Sequence, residues 1–340
     1  MTLKKVSIIV PVYNEEAYIL ELLHSILDQT FPLNSIELIV VDGGSTDEST
    51  RLAEEFCSKN DIKLNIIHNP HRITPISVNM GLTEATGNYL IISTAHGWFE
   101  SDFIKSGVML LESSGPDVMG VGGIVNTKIA GKGFWEDRIR ELMSSRFGVG
   151  GGFRSGLDTE GPRYASTVPK PMYRREVLKY IGYYDPSMVR NHDLDFNYRL
   201  IKSGFHLLQD DSIKSGYYAR PTPIKLLVSL YNNSKWHGAF FLKHHRFPGL
   251  KYLIPTAYLC AVIFGFVLLF VNTMWGGLYL LMLFFAYIMS GIYVYYTENK
   301  VIHPMHLLGF IVLAFLGHIV YGAGLISGIF YYLFKSLRLK

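Results

Sequence analysis

Two short apolar runs near the start of the chain, each ending in a polar cluster, restrict the possible folds more than any other feature. The first run, Val6–Val12, is followed by YNEE, and the second, Ile36–Val41, is followed by DGGSTD. Both have the length and the β-branched content of buried parallel strands. Ligands of open α/β sheets bind beyond the carboxyl ends of the strands. The two polar clusters therefore predict a binding site for a polar, phosphorylated compound.

Strands and helices alternate through the first part of the chain. Apolar residues recur at helical spacing after each of the two runs, and two more strand-like runs follow. Ser45 is the predicted N-cap of the second helix. The predicted elements are helices over Glu16–Gln29, Asp47–Lys59 and Pro75–Ala85, and strands over Lys63–His68 and Asn88–Ser93. This order predicts a parallel, doubly wound sheet.

The pattern is less regular in the middle of the chain. Glycine is dense between Glu112 and Gly161, which predicts turning loops. Helical patterns cover Arg174–Ile181 and Asp193–Ser203, and prolines then interrupt the chain. We expect a first, α/β domain over residues 1–222.

The C-terminal part of the chain is largely apolar. Three apolar stretches, Leu253–Val271, Met274–Tyr296 and Met305–Phe334, are each near or above the ~20 residues of a membrane-crossing helix. The tail after the third stretch is basic, which opposes the positive-inside tendency if all three stretches cross. We therefore predict a transmembrane region of two to three helices over residues 252–340.

The segment between these regions, residues 223–251, is predicted to be an amphipathic helix at the membrane interface. Basic residues and histidines precede the apolar tail: Lys235, His237, Lys243, His244, His245, Arg246 and Lys251. This composition suits the cytoplasmic face of a membrane, whose anionic headgroups attract positive charge. A surface helix packed on the first domain is the alternative interpretation.

The net charge, the two cysteines and the N-terminal segment argue against a nucleic-acid-binding protein, a disulfide-bonded protein and a secreted protein. The formal net charge of +4 is too small to indicate nucleic-acid binding. Cys57 and Cys260 lack metal-ligand spacing, so we expect a reducing compartment and no disulfide. The apolar stretch at the N-terminus is too short for a signal peptide. The first domain is therefore expected in the cytoplasm, where activated sugars and nucleotides are found.

Asp42, at the end of the second predicted strand, has two interpretations. A carboxylate there can accept hydrogen bonds from the imide or ribose of a nucleotide, and Gly43 and Gly44 allow the backbone to approach closely. The alternative is that Asp42 only caps a turn. The polar residues Tyr13 and Glu15, at the end of the first strand, favour the nucleotide interpretation.

The ordered motifs PVYNEE, VVDGGSTDEST and NMGLTEATGNYLIIS resemble glycosyltransferase family 2, whose members have the GT-A fold. Downstream, RNHDLDFNYRLIKSGF resembles the acidic motif of that family ahead of an Arg-Leu pair. TAHGWFESDF and PRYASTVPKPMYRREVLKYIGYYDPSMVRN resemble the ExoA-like subgroup, which makes succinoglycan-type exopolysaccharides. The resemblance implies a Rossmann-like, mostly parallel GT-A domain, followed here by an interfacial helix and transmembrane helices.

The resemblance implies an inverting sugar transfer, which is one in-line displacement at the anomeric carbon. Such a reaction needs a carboxylate that takes the proton of the acceptor hydroxyl. The base of the family corresponds to Asp193, with Asp195 as a supporting carboxylate. Arg199 could pair with Asp195 on one helix face. The alternative for both aspartates is a charge pair favoured by the dipole at a helix N-terminus.

The resemblance also implies a site for a nucleotide-diphosphate sugar, with UDP-glucose as the expected donor. The predicted contacts are Pro11, Tyr13, Glu15, Asp42, Asn79, Thr94 and Ala95. Positive groups for the diphosphate are predicted at Arg72, Arg220 and Lys235, and each is otherwise a solvated surface residue. Lys235-Trp236 is faintly similar to the Gln-x-x-Arg-Trp motif of processive family members.

The predicted metal site departs from the family pattern. Members place Asp-x-Asp after the fourth strand, and the ExoA-like subgroup has Asp-Ala-His, whereas this chain has Thr94-Ala95-His96. A divalent cation such as Mg²⁺ or Mn²⁺ prefers oxygen ligands, and Mn²⁺ also accepts imidazole. His96 is therefore the predicted metal ligand or a donor to the diphosphate, Thr94 offers a neutral oxygen, and Asp102 could compensate.

Three functional hypotheses follow. The main one is an inverting glycosyltransferase of the inner membrane that acts at its cytoplasmic face. It would use a nucleotide sugar and a polyprenyl-diphosphate-linked glycan acceptor in exopolysaccharide or capsule synthesis. The second is a polyprenyl-phosphate sugar synthase, and the third is a non-catalytic nucleotide-sugar-binding subunit of a synthase complex. The sequence predicts no oligomeric state.

Overall fold

The structure is a computed structural model that describes residues 4–129, 131, 133–148, 161–219, 222–247, 249–299 and 303–338. The chain forms two compact units. The first unit comprises Met1–Lys128 and Gly156–Tyr218, and the second comprises Ile129–Ser155 and Ala219–Lys340. The domain limits at residues 222 and 251 stay predictions.

A parallel half-sheet at the start of the first unit confirms the predicted order of strands and helices. Its strands are β1 (Val6–Val12), β2 (Ile36–Asp42), β3 (Lys63–His68) and β4 (Tyr89–Ile92). They lie in the order β3-β2-β1-β4, and all three pairings are parallel. The intervening helices are α1 (Ile19–Leu27), α2 (Ser49–Lys59) and α3 (Thr74–Glu84).

The predicted N-cap of α2 is wrong. The helix begins at Ser49, and the backbone N–H of Ser45 donates to Asp42 instead. The backbone N–H of Ser49, the first residue of the helix, donates instead to Oδ1 of Asp47 at 3.1 Å. The stretch from Gly43 to Ser45 thus belongs to the loop after β2.

An antiparallel half-sheet extends the same sheet and was not predicted. Its strands are β5 (Gly97–Phe99), β6 (Val118–Ile129), β7 (Arg163–Tyr164), β8 (Met172–Arg174) and β9 (His206–Ala219). Among the described residues the sheet has nine strands, in the order β3-β2-β1-β4-β8-β6-β9-β5, with β7 paired to β9. The helices of this part are α4 (Phe103–Ser113), α6 (Val177–Ile181) and α7 (His192–Lys202).

Two predictions for the middle of the chain are wrong. Arg174–Ile181 is helical only over Val177–Ile181, because β8 occupies the residues up to Arg174. The glycine-rich stretch between Glu112 and Gly161 contains β6 and a further helix, α5 (Phe134–Ser144). Gly123 shows why glycine occurs within β6: a Cβ there would overlap the backbone carbonyl of Ile213 on β9. Close approach of neighbouring backbones is a known reason for glycine inside a strand.

The core of the first unit lies on both faces of the parallel strands. Ile8 faces one side, together with Leu22 of α1 and Ile104 of α4. Ile9 faces the other side, together with Val78 of α3 and Phe196 of α7. Each such fully buried side chain contributes about 1.5–3 kcal/mol of hydrophobic free energy. This packing fixes the carboxyl ends of the strands, from which the site is built.

The second unit is helical. It contains α5, α8 (Pro223–His244), α9 (Ile254–Val271), α10 (Thr273–Glu298) and α11 (Pro304–Arg338). Within the segment 223–251, a helix is confirmed over Pro223–His244, which is α8. It begins after Thr222, whose side chain accepts from the backbone N–H of Lys225. The helical segments Leu250–Val271, Thr273–Glu298 and Pro304–Phe334 are long and apolar enough to cross a membrane.

Helix α8 packs closely along α11. A Cβ at Gly324 of α11 would overlap the Tyr231 carbonyl and the Ser234 hydroxyl of α8, so the two backbones approach at this glycine. Tyr231 also donates to Ser327 at 2.9 Å, and Tyr321 is hydrogen-bonded to His237 at 2.7 Å. Small residues and interhelical hydrogen bonds are the usual features of helix packing in membranes.

Candidate active site

The loops after β1 and β2 are hydrogen-bonded to each other. Asn14 has φ of 54°, and its side-chain oxygen accepts from the backbone N–H of Thr46 at 2.8 Å. In return, the Ser45 hydroxyl accepts from the Asn14 N–H, and the Ser49 hydroxyl accepts from the Glu15 N–H at 2.7 Å. The polar residues of both motifs thus fix the backbone of the strand ends.

A cleft of about 410 Å³ lies at these strand ends within the first unit. The sequence-predicted residues that line it are Pro11, Tyr13, Glu15, Arg72, Thr94, Ala95, His96 and Asp193. The cleft therefore brings together residues from the carboxyl ends of β1 and β4, the loop after β3 and the first turn of α7.

Asp42 lies beside this cleft, next to the lining residue Gly43. Its carboxylate accepts from the backbone N–H groups of Gly44 at 3.0 Å and Ser45 at 2.9 Å. Asp42 thus caps the turn, as the alternative interpretation predicted. A carboxylate has about four acceptor positions, so the capping bonds leave capacity for a nucleotide contact.

Glu15 and His96 meet across the cleft floor. The Nδ1 atom of His96 lies 2.8 Å from Oε1 of Glu15, and both side chains are partly buried. Tyr18 packs edge-on to the imidazole, with ring centroids 6.5 Å apart. The contact joins the predicted nucleotide residue after β1 to the predicted metal ligand after β4.

The two aspartates of α7 occupy different environments. Asp193 is exposed and lines the cleft, whereas Asp195 is fully buried. Asp195 pairs with Arg199 at 3.0 Å, which confirms the predicted pairing on one helix face. Arg199 also donates to the carbonyl oxygens of Ile181 and Tyr183. Asp193 thus faces the cleft, and Asp195 is placed to anchor the helix that carries Asp193.

Of the three positive groups predicted for the diphosphate, only one is found at the cleft among the described residues. Arg72 lines the cleft, with its guanidinium 5.5 Å from the centroid of the Tyr13 ring. Arg220 lies outside the described residues. Lys235 lies on α8 in the second unit, with its ammonium 4.5 Å from the Tyr331 ring, and Trp236 packs on Tyr332. These contacts support a role of Lys235 and Trp236 in packing α8 on α11.

Asn79 is not one of the described residues that line the cleft, but it holds a residue that does. Its side-chain N–H donates to the carbonyl of Tyr184 at 2.8 Å, and its Oδ1 accepts from the Tyr184 N–H at 2.9 Å. Tyr184 lines the cleft and stacks on Phe196, with ring centroids 4.4 Å apart. Because both ends of the amide are engaged, the structure supports Asn79 as the group that positions Tyr184.

Sequence reasoning missed two nitrogen-bearing side chains of the cleft, Lys170 and His192. Lys170 donates to the carbonyl oxygens of Trp98 at 3.1 Å and Gly216 at 2.7 Å, and burial lowers its pKa to about 7. The Nδ1 atom of His192 is buried and has no hydrogen-bond partner in the described part of the chain. The adjacency of His192 to Asp193 was a usable signal, whereas nothing in the local sequence marks Lys170 as buried.

The donor set does not form a complete metal site by itself. Within the described ranges, no three His, Cys, Asp or Glu side chains form a group that could hold an ion. Asp102, the predicted compensating carboxylate, accepts from Thr30 at 2.6 Å and is not among the described lining residues. His96 offers Nε2, because Nδ1 contacts Glu15. A carboxylate behind an imidazole is the usual arrangement of a metal-binding histidine, so the pair fits a cation that enters with a diphosphate.

The half-parallel, half-antiparallel sheet with its cleft at the strand ends defines a GT-A glycosyltransferase fold. The sequence profile of Glycosyl transferase family 2 matches residues 7–182, and the chain belongs to this family. It is a family 2 glycosyltransferase, as the sequence motifs predicted.

Two relatives and one solved structure are similar over most of the chain. The succinoglycan biosynthesis protein ExoA of Rhizobium meliloti is 29% identical over 78% of this chain and 79% of its own length. A dolichyl N-acetyl-α-D-glucosaminyl phosphate glycosyltransferase that transfers a diacetamido-dideoxy-glucuronosyl group, from Methanococcus voltae, is 29% identical over 84% of each chain. The mannosyltransferase PcManGT of Pyrobaculum calidifontis, solved with GDP-mannose and Mn²⁺, matches with a TM-score of 0.60. That match has 17% identity over 98% of this chain and 88% of PcManGT, so it shows the fold alone.

Proposed function

We propose that this protein is an inverting glycosyltransferase that moves a sugar from a nucleotide-diphosphate donor to a lipid-linked glycan. The observation that carries the proposal is the presence of Asp193 in the same cleft as Arg72 and the Glu15–His96 pair. A carboxylate base and groups for a departing diphosphate are the two requirements of a single in-line displacement.

In the proposed reaction Asp193 takes the proton of the acceptor hydroxyl. The acceptor oxygen forms its bond to the anomeric carbon while the bond to the diphosphate oxygen breaks, and the nucleoside diphosphate leaves with the bonding electrons. Arg72 supplies positive charge beside the cleft, and it makes no ion pair with the described residues. Tyr13 and Asp42, at the ends of β1 and β2, are the proposed contacts of the nucleoside.

A divalent cation would be held by His96 and would neutralise negative charge on the diphosphate. Mg²⁺ and Mn²⁺ are the candidates. Thr94, in place of the first aspartate of the family motif, contributes only a neutral hydroxyl to this position. The protein itself therefore supplies little of the negative charge that a free cation requires.

The proposed acceptor is a polyprenyl-diphosphate-linked glycan, and the proposed process is exopolysaccharide or capsule synthesis. Two findings support this: the names of the two similar relatives, and the three helices able to cross a membrane. A lipid-anchored acceptor would be presented at the surface of the same membrane. We place the catalytic unit at the cytoplasmic face of the inner membrane and propose UDP-glucose as the donor.

The test is release of UDP from UDP-glucose by membranes that contain the full chain and a pool of lipid-linked glycans. Asp193→Asn keeps the size of the side chain but removes the base, so turnover should fall about 10²–10⁴-fold. The control is Asp61→Asn, at an exposed position with φ of 54° that asparagine also tolerates. It should leave turnover unchanged.

The outcomes separate the three hypotheses. Equal turnover of wild type and Asp193→Asn would remove Asp193 as the base. Retained activity of Asp193→Asn with polyprenyl phosphate would indicate the synthase, because a phosphate acceptor is already ionised and needs no strong base. Nucleotide binding without transfer to any lipid-linked acceptor would indicate the non-catalytic subunit.

A further inference from the structure

The contact between Glu15 and His96 determines which imidazole nitrogen faces a ligand. Oε1 of Glu15 lies 2.8 Å from Nδ1, and the side chains of Glu15 and His96 are 20% and 30% exposed. Nε2 has no hydrogen-bond partner among the described residues, and His96 lines the cleft. A carboxylate that accepts from Nδ1–H fixes the tautomer whose Nε2 carries a lone pair.

The lone pair on Nε2 favours some cations over others. Mg²⁺ demands hard oxygen ligands in near-ideal octahedral geometry, whereas imidazole is a suitable ligand for Mn²⁺ and later transition metals. The neighbouring Thr94 adds no negative charge. Nitrogen coordination at this point of the cleft would therefore favour Mn²⁺ over Mg²⁺.

One protein nitrogen is too few ligands for a stable site on its own. The described residues form no group of three metal-binding side chains, and the diphosphate oxygens and water would supply the remaining ligands. Binding of the cation and of the nucleotide would then be linked, because each completes the site of the other.

We propose that Glu15 is a positioning residue that holds His96 with Nε2 toward the diphosphate, so that the cleft takes Mn²⁺ in preference to Mg²⁺ and takes it more tightly together with a nucleoside diphosphate. This inference rests on the proposed nucleotide-diphosphate donor. It gives the glutamate of the first motif a role in metal selectivity.

The experiment measures binding of Mn²⁺ to the purified full-length protein in detergent, by loss of the electron paramagnetic resonance signal of free Mn²⁺. UDP and GDP are tested in parallel. We expect tight Mn²⁺ binding with nucleotide and at least ~10-fold weaker binding without it. Mg²⁺ should displace Mn²⁺ only at an excess of ~10-fold or more.

Variants of Glu15 test the positioning role. Glu15→Ala should weaken nucleotide-dependent Mn²⁺ binding by about 10–100-fold, as is usual when the partner of a metal-binding histidine is removed. Glu15→Gln keeps an acceptor for Nδ1–H and should restore most of that affinity. The control is Glu16→Gln, on the same loop, whose carboxylate accepts from the Glu48 N–H at 3.1 Å. It should bind Mn²⁺ as the wild type does.

A gain-of-function variant tests the selectivity independently. Thr94→Asp places a hard carboxylate oxygen beside His96, so it should raise the affinity for Mg²⁺ and reduce the preference for Mn²⁺. Thr94→Asn, which is similar in size and neutral, should keep the wild-type preference. Melting curves of all variants confirm that each one is folded.

Several results would overturn the proposal. These are equal competition by Mg²⁺ in the wild type, unchanged Mn²⁺ binding by Glu15→Ala, and nucleotide binding that is equally tight in EDTA. With nucleotide bound in each case, the proposed function would stand. Failure of both UDP and GDP to bind, with and without metal, would contradict the proposed function and this inference together.

Discussion

The two units distribute the same apolar residue types in opposite ways. In the first unit the large apolar side chains lie inside, and Ile8 and Leu22 are fully buried. In the second unit many point outward: Phe270 is 93% exposed and Leu281 is 68% exposed. Exposed apolar surface of this extent accords with helices that are long and apolar enough to cross a membrane. The first unit thus has the residue distribution of a protein in water, and α9 and α10 have the apolar surface typical of membrane-spanning helices.

The largest expected effect concerns a charge that the first unit buries. Asp195→Asn would leave Arg199 without its partner carboxylate, and breaking a buried ion pair costs about 3–5 kcal/mol. The free energy of unfolding of the first unit should fall by this amount, as measured by hydrogen exchange in α7. Arg199→Met added to Asp195→Asn should recover part of the loss, and an unchanged stability of the single variant would contradict the structural role of Asp195.

A Leu→Ala substitution in each unit tests whether apolar side chains are buried in the first unit and exposed in the second. Leu22→Ala should destabilise the first unit by about 2–5 kcal/mol, because it leaves a cavity in the core. Leu281→Ala should change stability by less than about 0.5 kcal/mol, because its side chain makes little contact within the protein. Thermal unfolding of the full chain in detergent measures both. A similar loss of stability in the two variants would contradict the difference in burial between the two units.

Acid should destabilise the first unit through Glu37. Burial would raise the pKa of Glu37, but hydrogen bonds from Ser7, Thr86 and Lys63 outweigh it and lower the pKa to about 2, from 4.5. The stabilisation is fully present above pH 4.5 and is lost as the pH falls toward 2, with a total of about 3 kcal/mol. Hydrogen exchange of β2 peptides between pH 6 and 3 should show about 2 kcal/mol of this loss, because the rest falls below pH 3. Glu37→Gln should remove this part of the pH dependence.

The smallest effect belongs to the contact between α8 and α11. Gly324→Leu would force a side chain against Tyr231 and Ser234, at a cost of about 1–3 kcal/mol. Gly277→Leu, on α10, meets nothing within 4 Å and should leave stability unchanged or slightly raised. Melting temperatures in detergent distinguish the two. An equal response at both glycines would contradict close packing of α8 on α11.

The parallel half of the sheet could be predicted from the sequence, and the antiparallel half could not. Three of the four parallel strands, β1, β2 and β4, are short apolar runs, and β1 and β2 are buried on both faces. The fourth, β3 (KLNIIH), is partly exposed and was marked by its place between two helical patterns. By contrast, β6 contains glycines and β9 contains the polar stretch QDDS, both of which are typical of loops. Only the close approach of β6 to β9 explains why Gly123 belongs to a strand.

The candidate site could be predicted for residues that belong to sequence motifs, and it could not be predicted elsewhere. Glu15, His96 and Asp193 were found because each belongs to a motif, and they line one cleft. Lys170 was missed because its place in the cleft depends on burial and on bonds to Trp98 and Gly216, which are distant in sequence. The nucleotide contact predicted for Asn79 stays a prediction; the structure adds that its amide holds the Tyr184 backbone, a bond that the sequence pattern does not indicate.

The mutual hydrogen bonds of the loops after β1 and β2 have an evolutionary consequence. Asn14 is hydrogen-bonded to Ser45 and Thr46, and Ser49 accepts from the Glu15 N–H, so the two loops hold each other in place through bonds that involve no ligand. Residues that only face the cleft, such as Thr94 and His192, can vary without disturbing that frame. New donor preferences could therefore arise by single substitutions at the facing positions while the motifs stay constant.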